Sequence, residues 1–166
     1  MSIMKSRSHM KDGARVVVTL AAVVLAAAGM GCGGGGGGRL EAPAIGFSMD
    51  VPAGWEVSPR TPDLCFHGEG NGMVMVEPIP AGGFERHVAE VSREYGARVL
   101  SRKDTRAAGH RAVEVVSEVP AQGVTALRLF IDLGSRVATV SFVTPSAEFD
   151  AQEPAIRAAF ETITLE

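Results

Sequence analysis

Val124-Thr125-Ala126-Leu127-Arg128-Leu129-Phe130-Ile131-Asp132-Leu133-Gly134-Ser135-Arg136-Val137-Ala138-Thr139-Val140-Ser141-Phe142-Val143 carries the longest hairpin signal in the chain. Leu127, Leu129, Ile131 and Leu133 alternate along one strand, the two-residue period of a half-buried surface. Gly134-Ser135 supplies a two-residue turn, and Val137 to Val143 returns beside it. So short a turn joins only antiparallel neighbours.

Working outward, the same grammar repeats on both sides. Upstream, Gln122-Gly123 opens the hairpin, and Val113 to Val119 is a strand reached through the Ala107-Ala108-Gly109 turn. Arg98 to Arg106 reads as an exposed, charged strand. Between Phe84 and Tyr95 the period changes, because Phe84, Val88, Val91 and Tyr95 fall on one helical face. Gly96 follows where a left-handed cap is expected. Further back, Met73 to Val76 is continuously apolar, as in a strand covered on both faces. Gly68 to Gly72 closes a hairpin onto Leu64 to His67, while Ser58 to Asp63, with Pro59 and Pro62, reads as loop. Trp55 to Val57 starts a short strand after the Pro52-Ala53-Gly54 turn, and Phe47, Met49 and Val51 alternate before it. Downstream, Phe149, Ile156, Phe160 and Ile163 give a second helix. Asp150 and Glu153 are spaced as its capping box, Pro154 is placed in its first turn, and Thr162 to Leu165 is a closing strand. Strands joined mostly by hairpins, with two main helices, predict an α+β domain built on an antiparallel β-sheet.

The opening Gly46-Phe47-Ser48-Met49-Asp50-Val51-Pro52-Ala53-Gly54-Trp55 resembles the start of the PsbP-like superfamily. The central helix, Gly109-His110-Arg111-Ala112 leading into a strand, the long hairpin and the final helix ending in Phe160 resemble it as well. The similarity covers roughly Ile45 to Leu165. It implies an α/β/α sandwich around an antiparallel sheet, as in the extrinsic PsbP subunit of photosystem II, DcrB-type and LpqN-like lipoproteins and chaperones of type VI secretion effectors. It brings no shared catalytic residues. Nothing ties this chain to photosynthesis, and a cytoplasmic chaperone role conflicts with the leader described next.

Residues 1–31 resemble a bacterial lipoprotein signal peptide. Lys5, Arg7, Lys11 and Arg15 form a basic start, and Val16 to Ala28 is uncharged and almost wholly apolar. Thirteen residues suit a signal core and fall short of the roughly 20 that span a bilayer. Gly29-Met30-Gly31-Cys32 then supplies small residues before a cysteine, although Gly29 stands where such signals usually carry Leu. Cys32 is the expected lipidation site, with residues 32–44 as lipidated cysteine and glycine-rich tether and 45–166 as the domain. A flexible tether of this length reaches roughly 20 Å. Acyl chains contribute about 0.8 kcal/mol per buried CH₂, so several chains on one sulfur hold a soluble body at a membrane. Gly33 lacks the Asp associated with inner-membrane retention, which favours the outer membrane.

Without the leader, twelve basic and eighteen acidic residues remain, a net charge of −6. That balance argues against nucleic acid and against a polybasic grip on lipid. With Cys32 acylated, Cys65 has no internal disulfide partner, and its Leu64-Cys65-Phe66 context reads as a buried, inert thiol. Cys65 and His67 share a strand face, while His87 and His110 are isolated. No metal site is expected from them, because a metal needs several converging ligands. Met73 and Met75 read as core filling. Gly68 to Gly72 lacks the following helix that a phosphate loop needs. No nucleophile elbow, His-Glu-x-x-His or Cys-x-x-Cys motif occurs. Trp55 reads as a core plug. The expectation is therefore a non-enzymatic, exported, lipid-anchored envelope protein without a cofactor, binding or stabilising an envelope protein or complex. The alternative is a carrier with an apolar pocket between sheet and helix. An enzyme would need Cys65, His67 and His110 to converge in a cleft.

Overall fold

The computed structural model describes residues 38–166. The leader, Cys32 and most of the glycine run lie outside the described residues. In chain order the elements are β1 (Arg39–Ala42), β2 (Phe47–Asp50), β3 (Glu56–Ser58), β4 (Thr61–His67), β5 (Gly70–Pro78), α1 (Gly83–Val91), β6 (Arg98–Ala107), β7 (His110–Val119), β8 (Val124–Asp132), β9 (Arg136–Pro145), α2 (Phe149–Phe160) and β10 (Thr164–Leu165). A seven-stranded sheet runs β3-β4-β5-β9-β8-β7-β6, and a small sheet runs β1-β2-β10. Every pairing is antiparallel. The fold is α+β, with a large antiparallel sheet, a small second sheet and two main helices.

The long hairpin occupies the middle of the large sheet. Leu129 pairs with Val140 and Asp132 with Val137, and Gly134 takes a φ of +84° at the turn. Leu127, Leu129 and Ile131 point to one face with Ala138, Val140 and Phe142. Trp55, the small sheet's Phe47 and Met49, and Ile156 and Phe160 of α2 cover that face. Fully burying side chains of this size contributes about 1.5–3 kcal/mol each. Phe130 points the other way and is also completely buried, because α1 lays Phe84 and Val88 over Val113, Val115, Phe130 and Val137. The central strands are therefore covered on both faces, whereas the flanking strands are covered on one.

Several expectations are corrected. The tether expected to run to residue 44 gives way earlier to β1 (Arg39–Ala42), whose Leu40 is buried opposite Met49. Backbone pairing and one leucine suffice to order it. Thr61–His67 extends β4 through Pro62 into the stretch read as loop. Met73 to Val76 is not covered on both faces: Val74 is buried but Met75 is 38% exposed, since the apolar side chains of α1 settle on Val113, Val115, Phe130 and Val137 and leave Met75 uncovered. The β4–β5 turn is Gly68-Glu69 alone, with His67 paired to Gly70. The first helix stops at Val91, and Tyr95 adopts φ 58° and projects into solvent, because the chain must swing round to start β6. The capping box is not formed. α2 begins one residue earlier than Asp150, Glu148 offers its backbone carbonyl to Ala151 and Gln152, and Glu153 turns instead to Arg157. Pro154 consequently lies beyond the first turn, where it has no N–H to give to the helix.

Candidate functional site

Cys65 and His67 do share a face of β4, two residues apart, but their surroundings differ. Cys65 is wholly buried, and its Sγ and the Phe142 ring both crowd the space beside Gly72. Burial pushes its thiol from the usual 9.0 up to about 12, against the lowering pull of the Gly72 backbone N–H. A thiol held protonated is a poor nucleophile and a poor metal ligand. The reading of an inert cysteine therefore rests on packing.

His67 belongs to a closed polar ring. The Trp55 indole stacks on the imidazole with centroids 5.7 Å apart and meets Phe142 edge-on at 5.1 Å. His67 Nδ1 lies 2.8 Å from the Gly54 carbonyl, so that nitrogen carries the proton and donates. The neutral Nε2 then accepts from the Gln152 amide at 3.1 Å, and Gln152 Oε1 accepts from Trp55 Nε1 at 3.2 Å. Every polar atom of Trp55 and His67 is thereby satisfied. The ring fastens the Pro52-Ala53-Gly54 turn to α2, and it leaves neither imidazole nitrogen free for acid–base work. Sequence spacing could not reveal Gln152, which is 85 residues from His67.

The other histidines lie elsewhere. His110 opens β7 opposite Ala107 and is exposed. Four strand steps separate β4 from β7, which is roughly 19 Å at ~4.8 Å per step. Cys65, His67 and His110 are thus not brought together. His87 sits inside α1's contact with the sheet, edge-on to Phe130, with Nε2 at 3.9 Å from Glu77 Oε2 and no hydrogen-bond partner. Among the described residues, no three His, Cys, Asp or Glu side chains converge as a metal site would require.

A cleft of about 180 Å³ opens beside β6, β7 and the end of α2. Lys103, Arg106, Glu114, Arg157 and Glu161 line it together with Phe160. Ligand pockets for drug-sized molecules are larger and mostly apolar. Between the sheet and α2 lie the packed side chains of Phe142, Ile156 and Phe160. Among the described residues no helix is long and apolar enough to cross a membrane.

No family model matches the sequence, and no curated protein matches it either. Solved structures do share its architecture. Cyanobacterial PsbP (CyanoP) from Synechocystis sp. PCC 6803 superposes with a TM-score of 0.55 at 14% identity, over 82% of this chain and 98% of that one. PA94, a protein of unknown function from Pseudomonas aeruginosa, gives 0.50 at 17% identity, over 77% of this chain and 96% of its own. At these identities the likeness concerns the path of the backbone, and that path is the PsbP-like fold.

Proposed function

We propose that this protein is a non-enzymatic, lipid-anchored binding module of the bacterial envelope, held at the outer membrane by acyl chains on Cys32 and acting on an envelope protein or complex. The observation that carries the reading is the order of parts in the leader: basic start, thirteen-residue apolar core, small residues, Cys32, then unbroken glycine. That order is a processing and anchoring instruction. Support for a binding role comes from the use of the chemically capable side chains. Cys65 is packed away, and His67 is spent on its neighbours. The carrier alternative gains no support from the small, charged cleft.

The test has two parts. Radiolabelled palmitate should be incorporated into the parent and not into Cys32→Ser, which should shift from the membrane to the soluble fraction or remain as uncleaved precursor. Affinity capture of the anchored parent, with mass spectrometry of proteins and lipids, should return a reproducible protein partner. Membrane fractionation and processing of Cys32→Ser identical to the parent's would sink the anchoring claim. Stoichiometric lipid with no protein would favour the carrier.

A further inference from the structure

The sheet face carrying α1 is only partly covered. Registers define its rows across the strands. Val113, Phe130, Thr139 and Met75 form one row, and Val115, Arg128, Ser141, Met73 and Leu64 form the next. α1 seals the Val113–Phe130 end. On the β4–β5 side Met75 and Phe66 remain 38% and 44% exposed, and at the other border Tyr95 is 59% exposed. Between these apolar groups lies Arg128. Its guanidinium donates to Ser117 Oγ at 2.8 Å, and among the described residues no carboxylate stands within ion-pairing distance of it. Burial lowers its basicity, and only the more distant fields of Glu94 and Tyr95 oppose this.

A partly desolvated guanidinium with a single neutral partner is a net cost to the isolated fold. Its planar fork is built to accept a carboxylate in two parallel hydrogen bonds. On this acidic molecule the exposed carboxylates are abundant, yet among the described residues none comes within ion-pairing distance of Arg128.

We infer that this half-open sheet face is a docking surface for a segment of another protein that carries apolar side chains and one carboxylate, the carboxylate seating on Arg128 and the apolar groups on Met73, Met75 and Phe66. The inference rests on the binding-module reading above and specifies its partner. Charge complementarity decides the occupant: an apolar patch alone would take any greasy surface, whereas a central unpaired cation selects an anion among apolar neighbours.

The probe is the peptide acetyl-Leu-Val-Asp-Val-Leu-amide, with its Asn counterpart as control, titrated into the isotope-labelled full chain and followed by NMR. The Asp peptide should shift the Arg128 Nε–H signal and the amides of Ser117, Ser141 and Met73, and the Asn peptide should bind at least tenfold more weakly. Arg128→Met should abolish that difference while melting at a temperature equal to or above the parent's, a combination that a purely structural arginine would not give. Equal binding of the two peptides, or no binding of either, overturns the inference. So does a melting temperature that falls alike in Arg128→Met and Glu94→Gln, since Glu94 would then be the resident counter-ion. Arg128-dependent shifts produced by phosphatidylglycerol vesicles but not by the Asp peptide would assign the face to a lipid headgroup instead. Self-association that consumes the same signals would assign it to a second copy. Failure here leaves the anchoring reading standing, because Cys32→Ser fractionation and partner capture do not depend on Arg128.

Discussion

A β-carbon placed on Gly72 would run into the Phe142 ring and come within 2.7 Å of Cys65 Sγ. Neither neighbour has room to retreat, as both are fully buried. Gly72→Ala should therefore lose about 1–3 kcal/mol in urea unfolding, the usual cost of overpacking. Cys65 carries a pH signature of the same packing. Its thiol keeps its proton up to about 12 in the fold, whereas the unfolded chain releases it near 9.0. The folded state then binds more protons between these values, so stability is intact below pH 9 and falls as pH rises toward 12. Unfolding free energies of Cys65→Ala should decline less steeply than the parent's over pH 8.5–11, and the native thiol should resist a disulfide reagent until denaturant is added. The two-residue spacing of Cys65 and His67 was legible in the sequence. That one would be sealed and the other locked to Gln152 was not, because both outcomes depend on partners far along the chain.

The elements differ in how they are fastened. α1 is short and joins the sheet through Phe84 and Val88, with Glu85 reaching Arg102 and Arg111 from β6 and β7. Arg111 also stacks over the Phe84 ring at 5.1 Å. The hydrogen bond from Arg102 holds the Glu85 carboxyl below its usual 4.5, slight burial works against this, and the charges of Arg102 and Arg111 reinforce it. That contribution is present above the ordinary carboxyl range and is lost as pH falls through the depressed value. Being exposed, it is small. Glu85→Gln should cost about 0.5–1 kcal/mol, less in high salt, read as faster amide exchange in α1. α2 is fixed more firmly. Arg157 joins Glu153 on its own helix to Glu114 of β7, whose side chain is only 13% exposed. Arg157→Ala strands that carboxylate and should cost about 3 kcal/mol in thermal or urea unfolding. The apolar spacing of both helices announced them. Their ends were not announced, since Tyr95 follows the route of the chain into β6 and Glu153 pairs with Arg157 one turn on, and Arg157 itself reaches Glu114 of β7.

On the scale of the molecule, the small sheet closes the chain upon itself. Thr164 pairs with Ser48 in the backbone register, their hydroxyls are 2.8 Å apart, and Thr162 Oγ1 accepts the Asp50 N–H at 2.9 Å. Ile163 between them is buried in the main core. Removing residues 162–166 should cost at least about 3 kcal/mol, through Ile163 burial and the hydrogen bonds together. A lowered urea midpoint with Trp55 fluorescence shifted toward the exposed indole would report it. An unchanged midpoint would mean that the closing strand is ornamental.

Local chemistry by itself determined the antiparallel hairpins, the existence and character of both helices and the α+β class, because each depends on residues within a turn or two of one another. Only the tertiary structure decided that β2 leaves the large sheet for a smaller one with β1 and β10. It also decided that α1 shields just part of its face and that Arg128 has no carboxylate within ion-pairing distance among the described residues. Those outcomes depend on which distant side chains compete for the same volume and charge. Sequence spacing carries no measure of that competition.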